Sequence, residues 1–280
     1  MPATYARPEL LASVEWLAEN LGRPGIRVVD CRWRPDGSAS QVYATGHVPG
    51  AAHLDWATEL VDRDDPVPVQ LAGPEAFAAA VARAGIGDGS TGVLYDDVAS
   101  LYAARVWWSL RAYGFTSARV LDGGYPRWEA QGLEASNALV TPEPATFTPR
   151  ADLRIRLTAS DVRALLGADD VELVDTRAPA EYRGQGGNAR RLGHIPGALN
   201  VPVARMTTQG TGLFRSPDEI RRALNGAGLT RGRRIVVYDG SGVGAAKMAL
   251  VLALLGYDDV AVYDGGWAEW GNRLDLPVER

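Results

Sequence analysis

One cysteine, Cys31, stands in the whole 280-residue chain, so neither an intrachain disulfide nor a cysteine-based metal cluster can form. Long apolar runs are missing too. The longest, Met248 to Leu255, is far shorter than the roughly 20 residues a membrane-spanning helix needs. The opening residues, Met1 to Arg7, show no basic, apolar, small-residue succession of a secretory signal. Nor is there an excess of positive charge. Lys and Arg number 29 against 34 Asp and Glu, and the net charge of −5 argues against nucleic acid or an anionic membrane as partner. A soluble cytoplasmic protein is the expectation. What remains is a globular balance, 46% hydrophobic and 22% charged, in a length that suits two domains.

Order along the chain predicts strands and helices in alternation. A helix is expected around Leu10–Leu21, then strands at Ile26–Asp30 and His53–Asp55. An Ala-rich helix over Pro74–Ala84 precedes a strand at Gly92–Tyr95, and a helix over Leu101–Tyr113 carries Trp107 and Trp108. A strand at Ala118–Leu121 then runs into Asp122-Gly123-Gly124. Prolines 142, 144 and 149 and the absence of any period mark a connecting segment. After it, Thr158 and Ser216 read as helix N-caps, and the order begins again.

The second pass copies the first. Asp175 follows Asp30 by 145 residues, His194 follows His47 by 147, Asp239 follows Asp96 by 143 and Trp270 follows Trp128 by 142. Such steady offsets identify an internal duplication. The boundaries predicted are 1–132 and 158–280, joined by 133–157. Short apolar strands alternating with helices imply, for each half, a mainly parallel sheet with helices on both faces. Sites in such sheets lie at the carboxyl ends of strands.

One such end carries the chemistry. The strand Ile235–Tyr238 leads into Asp239-Gly240-Ser241-Gly242-Val243-Gly244 and then an apolar helix. Glycines at alternate positions let several N–H groups converge, and the helix start adds its positive dipole, which makes an anion cradle.

Two Gly-His-(Val/Ile)-Pro-Gly-Ala motifs, at Gly46 and Gly193, accompany two Asp-Gly-Gly-(Tyr/Trp) turns and this Gly-Ser-Gly-Val loop. Together they resemble the tandem rhodanese family, the thiosulfate and 3-mercaptopyruvate sulfurtransferases, over nearly the whole chain. The resemblance implies two rhodanese-like α/β domains, the first inert and the second active. It implies transfer of sulfane sulfur from a small anionic donor to a thiol or cyanide, with no metal or organic cofactor. In that family a cysteine opening the loop holds the sulfur as a persulfide; here Asp239 occupies its place. Gly240, Ser241, Gly242, Val243 and Gly244 would form the cradle, and Arg183, Arg190 and Arg191 would clamp the donor. An arginine common in the family two residues before Arg183 is replaced by Glu181. His47 and Asp36 resemble a pair that relays protons with a loop serine, here Ser241. The matching positions of His47 and His194 also suit a structural hydrogen bond in each copy.

A carboxylate forms no stable persulfide, so Asp239 predicts a loop that fills its own cradle with its own side chain. The backbone N–H bonds it accepts there would favour the ionised carboxylate. The alternative is a non-catalytic anion- or protein-binding module on the same scaffold, or a working cysteine replaced by design. Gly240-x-Gly242-x-x-Ala245, with Asp264 as ribose partner, also fits a dinucleotide fingerprint, but late in its domain. A cysteine phosphatase would need cysteine and arginine at the ends of the loop and finds neither. An aspartyl-phosphate mechanism lacks neighbouring magnesium-binding carboxylates.

Overall fold

The computed structural model describes residues 4–143, 145–229 and 232–280; Pro144 and residues 1–3 of the opening segment lie outside them. The first half contains β1 (Leu11–Ala12), α1 (Val14–Asn20), β2 (Ile26–Asp30), α2 (Ala39–Thr45), β3 (Ala52–His53) and α3 (Trp56–Glu59). It continues with α4 (Pro74–Arg83), β4 (Thr91–Tyr95), α5 (Leu101–Ala112), β5 (Ala118–Leu121) and α6 (Gly124–Ala130). The second half runs β6 (Arg156–Leu157), α7 (Ala159–Ala164), β7 (Val171–Asp175), α8 (Pro179–Tyr182), β8 (Leu199–Asn200) and α9 (Pro217–Gly226). It ends with β9 (Arg234–Tyr238), α10 (Val243–Leu254), β10 (Val260–Tyr263) and α11 (Gly266–Trp270).

Each half builds one five-stranded sheet, in the orders β1-β5-β4-β2-β3 and β6-β10-β9-β7-β8, with every pair parallel. Alternation along a strand sends neighbours to opposite faces. In β4, Val93 and Tyr95 pack with Val14 and Leu17 of α1 and Trp128 of α6, while Leu94 joins Phe77 of α4 and Ala103 of α5. In β9, Val236 and Tyr238 pack with Val162 of α7 and Trp270 of α11, while Ile235 and Val237 join Ile220 of α9 and Leu250 of α10. Helices therefore cover both faces of both sheets.

The helix expected over Leu10–Leu21 is broken up. Leu11 and Ala12 pair with Val120 and Leu121 as an edge strand, and α1 starts only at Val14, capped by the Ser13 hydroxyl. Arg156 and Leu157, placed by sequence in the connecting segment, likewise form the edge strand beside β10.

The two halves meet through α5 and α10, whose side chains belong to one continuous core. All twelve residues of α10 are buried, which explains a surface that is apolar all round except at Lys247. The interface repeats itself under the duplication. Asp264 accepts the Leu71 N–H at 3.0 Å from the first half, and Asp122 accepts the Phe214 N–H at 2.9 Å from the second. Arg105 of α5 reaches across to Asp264 at 2.6 Å, whereas Lys247 of α10, at the equivalent position, donates to the Thr207 hydroxyl of its own half at 3.2 Å.

Candidate functional site

At the carboxyl end of β9, the Tyr238 hydroxyl accepts the Ile195 N–H at 3.0 Å, which ties the Gly-His-Ile-Pro-Gly-Ala loop to the strand. Tyr95 holds the Val48 N–H in the same way in the first half. Beyond Tyr238 the chain turns through Gly242, whose φ of +81° is open to glycine at little strain, and enters α10. The Asp-Gly-Gly-Trp turn closes on this loop from behind. The Trp267 N–H donates to the Asp239 carbonyl at 2.7 Å and the Ala268 N–H to the Gly240 carbonyl at 2.8 Å. A Cβ on Gly266 would stand 2.6 Å from the Asp239 carbonyl oxygen, so that motif position needs a bare Cα. Gly124 meets the Asp96 carbonyl even more closely.

The Asp239 side chain folds back into its own loop. Its Oδ1 accepts the N–H groups of Ser241 at 3.2 Å and Gly242 at 2.5 Å, and its Oδ2 accepts that of Gly244 at 2.8 Å. Asp96 does the same in the first half, taking the N–H groups of Val98, Ser100, Tyr102 and Ala103 at 2.7 to 3.0 Å. Burial pushes the Asp239 carboxyl above the usual carboxylate range, against the opposing pull of the Gly244, Gly242 and Ser241 N–H bonds and of Arg105. The ionised form is thus less favoured than the N–H bonds alone imply. Asp96 is raised by burial as well, with Lys247 among the groups opposing it.

Above the loop opens a cavity of about 730 Å³ between the halves. Asp239, Gly240, Ser241, Val243 and Gly244 line it, together with Arg177, Pro179, Glu181, Val203 and Arg205. The first half contributes Trp33, Trp56, Val69, Leu101 and Tyr102. Gly242 is buried below, fixed by its N–H to Asp239 and by Arg105, whose Nη1 donates to its carbonyl at 3.3 Å.

The three arginines expected to clamp a donor are elsewhere. Arg183 is exposed, with Gln185 at 3.5 Å its one side-chain partner among the described residues, and Arg190 is exposed on the same loop. Arg191 donates to the carbonyls of Leu276 at 2.6 Å, Trp270 at 2.9 Å and Arg273, pinning the C-terminal segment. None lines the cavity, because the loop carrying them is turned toward that segment. The relay is not assembled either. His47 is buried, its Nδ1 2.9 Å from the Tyr43 carbonyl and its ring stacked on Tyr43 at 3.9 Å. His194 repeats this with Tyr182, at 2.9 Å and 3.7 Å, so the motif histidine steadies its own half. Asp36 accepts the Ser38 N–H and hydroxyl at an exposed turn. Neither His47 nor Asp36 lines the cavity with Ser241.

Asp264, the ribose candidate, is fully engaged with Arg105, Arg156 and the Leu71 N–H, so the dinucleotide alternative loses its acidic partner. Cys31 is buried behind β2 in the first half, and its thiol is pushed far up by burial, leaving it inert. Sequence reasoning missed Trp33, Trp56, Tyr102 and Arg205. The signal for the tryptophans was their place just past the carboxyl ends of β2 and β3.

The Rhodanese-like domain profile matches residues 13–131 and 158–273. The 3-mercaptopyruvate sulfurtransferase of Escherichia coli K12 is 35% identical over 276 residues, covering 95% of this chain and 96% of that protein. The thiosulfate sulfurtransferase of Bos taurus is 34% identical over 275 residues, covering 94% and 92%. Among solved structures, SseA from Escherichia coli superposes with a TM-score of 0.85 at 31% identity, covering 93% of this chain and 99% of that one.

Proposed function

Because the chain belongs to the rhodanese family of sulfurtransferases, with one rhodanese-like domain in each half, we propose that it keeps the family's site but not its sulfur chemistry. Transfer of sulfane sulfur from thiosulfate or 3-mercaptopyruvate to cyanide or a thiol needs a soft nucleophile that first accepts the sulfur and then releases it. Cysteine thiolate does this; carboxylate oxygen does not. The observation that carries the proposal is the occupation of the loop N–H groups of Ser241, Gly242 and Gly244 by the Asp239 carboxylate. These donors would otherwise face an incoming anion or a persulfide. Asp96 fills the loop of the first half by the same device, so the second half has taken on the arrangement of the first. The chain then acts as a non-catalytic binding module on the sulfurtransferase scaffold, with the interdomain cavity as its binding site.

The test is thiocyanate formation from cyanide with each donor, by the unmodified chain and by Asp239→Cys. The unmodified chain is expected to show none above buffer and the variant a measurable rate. Turnover by the unmodified chain at the level of the variant would overturn the proposal.

A further inference from the structure

Two carboxylates line the interdomain cavity. Glu181 lines it half-buried, and its carboxylate makes no hydrogen bond or ion pair among the described residues. Asp239 adds a second carboxylate on the loop side. Arg177 also lines the cavity and feels the Glu181 charge, but its guanidinium is committed elsewhere. It is paired with Asp175 at 2.5 Å, donates to the Gly193 carbonyl at 2.8 Å and lies over the Trp267 ring at 4.5 Å.

The same cavity has an aromatic wall. Trp33, Trp56 and Tyr102 pack on one another with ring centroids 5.4 to 5.9 Å apart, continued by Val69 and Leu101. Aromatic faces attract cations and supply apolar contact in the same patch. Arg205, an exposed residue of the lining, has no side-chain partner among the described residues and is its one uncommitted cation. The volume falls within the range of about 300–1,000 Å³ typical of organic-ligand sites and far exceeds what a small inorganic anion fills.

We propose that this cavity binds a small amino-acid zwitterion with an apolar body, a proposal that rests on the non-catalytic role of the site. The ammonium faces Glu181 and Asp239, the apolar body lies on Trp33, Trp56 and Tyr102, and the carboxylate meets Arg205. Small anions of the thiosulfate kind are rejected by the like charge of the two carboxylates.

Isothermal titration of the full-length chain with four probes separates these terms: phenylalanine, phenethylamine, hydrocinnamate and thiosulfate. Phenylalanine is expected to bind. Phenethylamine, without the carboxylate, should bind about tenfold more weakly, and hydrocinnamate and thiosulfate should not bind measurably. Glu181→Gln should weaken phenylalanine at least tenfold, and Glu181→Arg should remove phenylalanine binding while admitting thiosulfate. Both variants change a half-buried side chain that makes no hydrogen bond or ion pair among the described residues, and an unaltered melting temperature verifies that they fold. Binding of thiosulfate or hydrocinnamate in preference to phenylalanine, binding of none of the four, or phenylalanine binding unchanged in Glu181→Gln would each overturn the proposal. The thiocyanate assay reads separately. Absence of both binding and turnover overturns only the zwitterion site, whereas turnover by the unmodified chain overturns the non-catalytic role whatever the titrations show.

Discussion

Asp239 and Gly244 fit each other. A Cβ built on Gly244 would stand 2.9 Å from Asp239 Oδ2 and 3.3 Å from Val203 Cγ1, so the absent side chain makes room for the carboxylate. The carboxylate cannot swing aside without giving up N–H bonds to Ser241, Gly242 and Gly244. This mutual fit favours a loop adapted to aspartate over a working loop with one residue exchanged. Alanine in a helix is ordinarily better than glycine by up to about 1 kcal/mol. Gly244→Ala is nevertheless expected to destabilise the chain by about 1–2 kcal/mol through this crowding. In an Asp239→Ala background the same substitution should become neutral or stabilising. Urea unfolding of the two single variants and the double variant gives the coupling directly, and additive effects would contradict the fit. The loop that opens with Asp239 was legible in sequence because glycine spacing and strand end are local features. The clamp was not, since charge alone does not report where a long side chain points. Arg183, Arg190 and Arg191 share a loop with the right composition and the wrong direction.

At the scale of elements, the helix starts were the most readable features. Thr158 and Ser216 close reciprocal capping boxes with Asp161 and Glu219, satisfying otherwise free N–H groups at the first turns of α7 and α9. Ser216→Ala should cost about 1 kcal/mol in urea unfolding. A loss near zero would mean that the packing of Ile220 and Leu224 alone fixes that helix. The two-residue edge strands escaped notice for a physical reason. β1 and β6 are too short to show a period, and they exist only because β5 and β10 offer free edges to them. Their partners lie more than 100 residues away, so no local pattern announces the pairing. The aromatic wall escaped for a similar reason, since Trp33, Trp56 and Tyr102 become part of the site only when the first half docks on the second.

The whole molecule is held by that docking. α5 and α10 share one core, and Arg105 of α5 pairs with Asp264 of the other half. Lys247 is almost fully buried, and burial pulls its ammonium down to about 8 against the opposing attraction of Asp96. In the unfolded chain a lysine keeps its proton to about pH 10.4. Between about pH 8 and that value the unfolded state binds more protons, so this group makes stability rise with pH. Lys247→Met should therefore stabilise the chain at pH 7 by about 1–3 kcal/mol, and the advantage should shrink as the pH approaches 10. Equal destabilisation at both pH values in urea melts would show that the lysine is a net asset to the interface. The duplication that organises this interface was legible from the 142- to 147-residue offsets, whereas the crossing of Arg105 to Asp264 needed the docked halves. The central claim concerns sulfur. Intact-mass spectrometry of the unmodified chain after incubation with 3-mercaptopyruvate, and separately with thiosulfate, tests it most directly. No mass gain of a sulfur atom is expected, while Asp239→Cys treated alike should gain one that dithiothreitol removes. A reducible sulfur adduct on the unmodified chain would contradict the account.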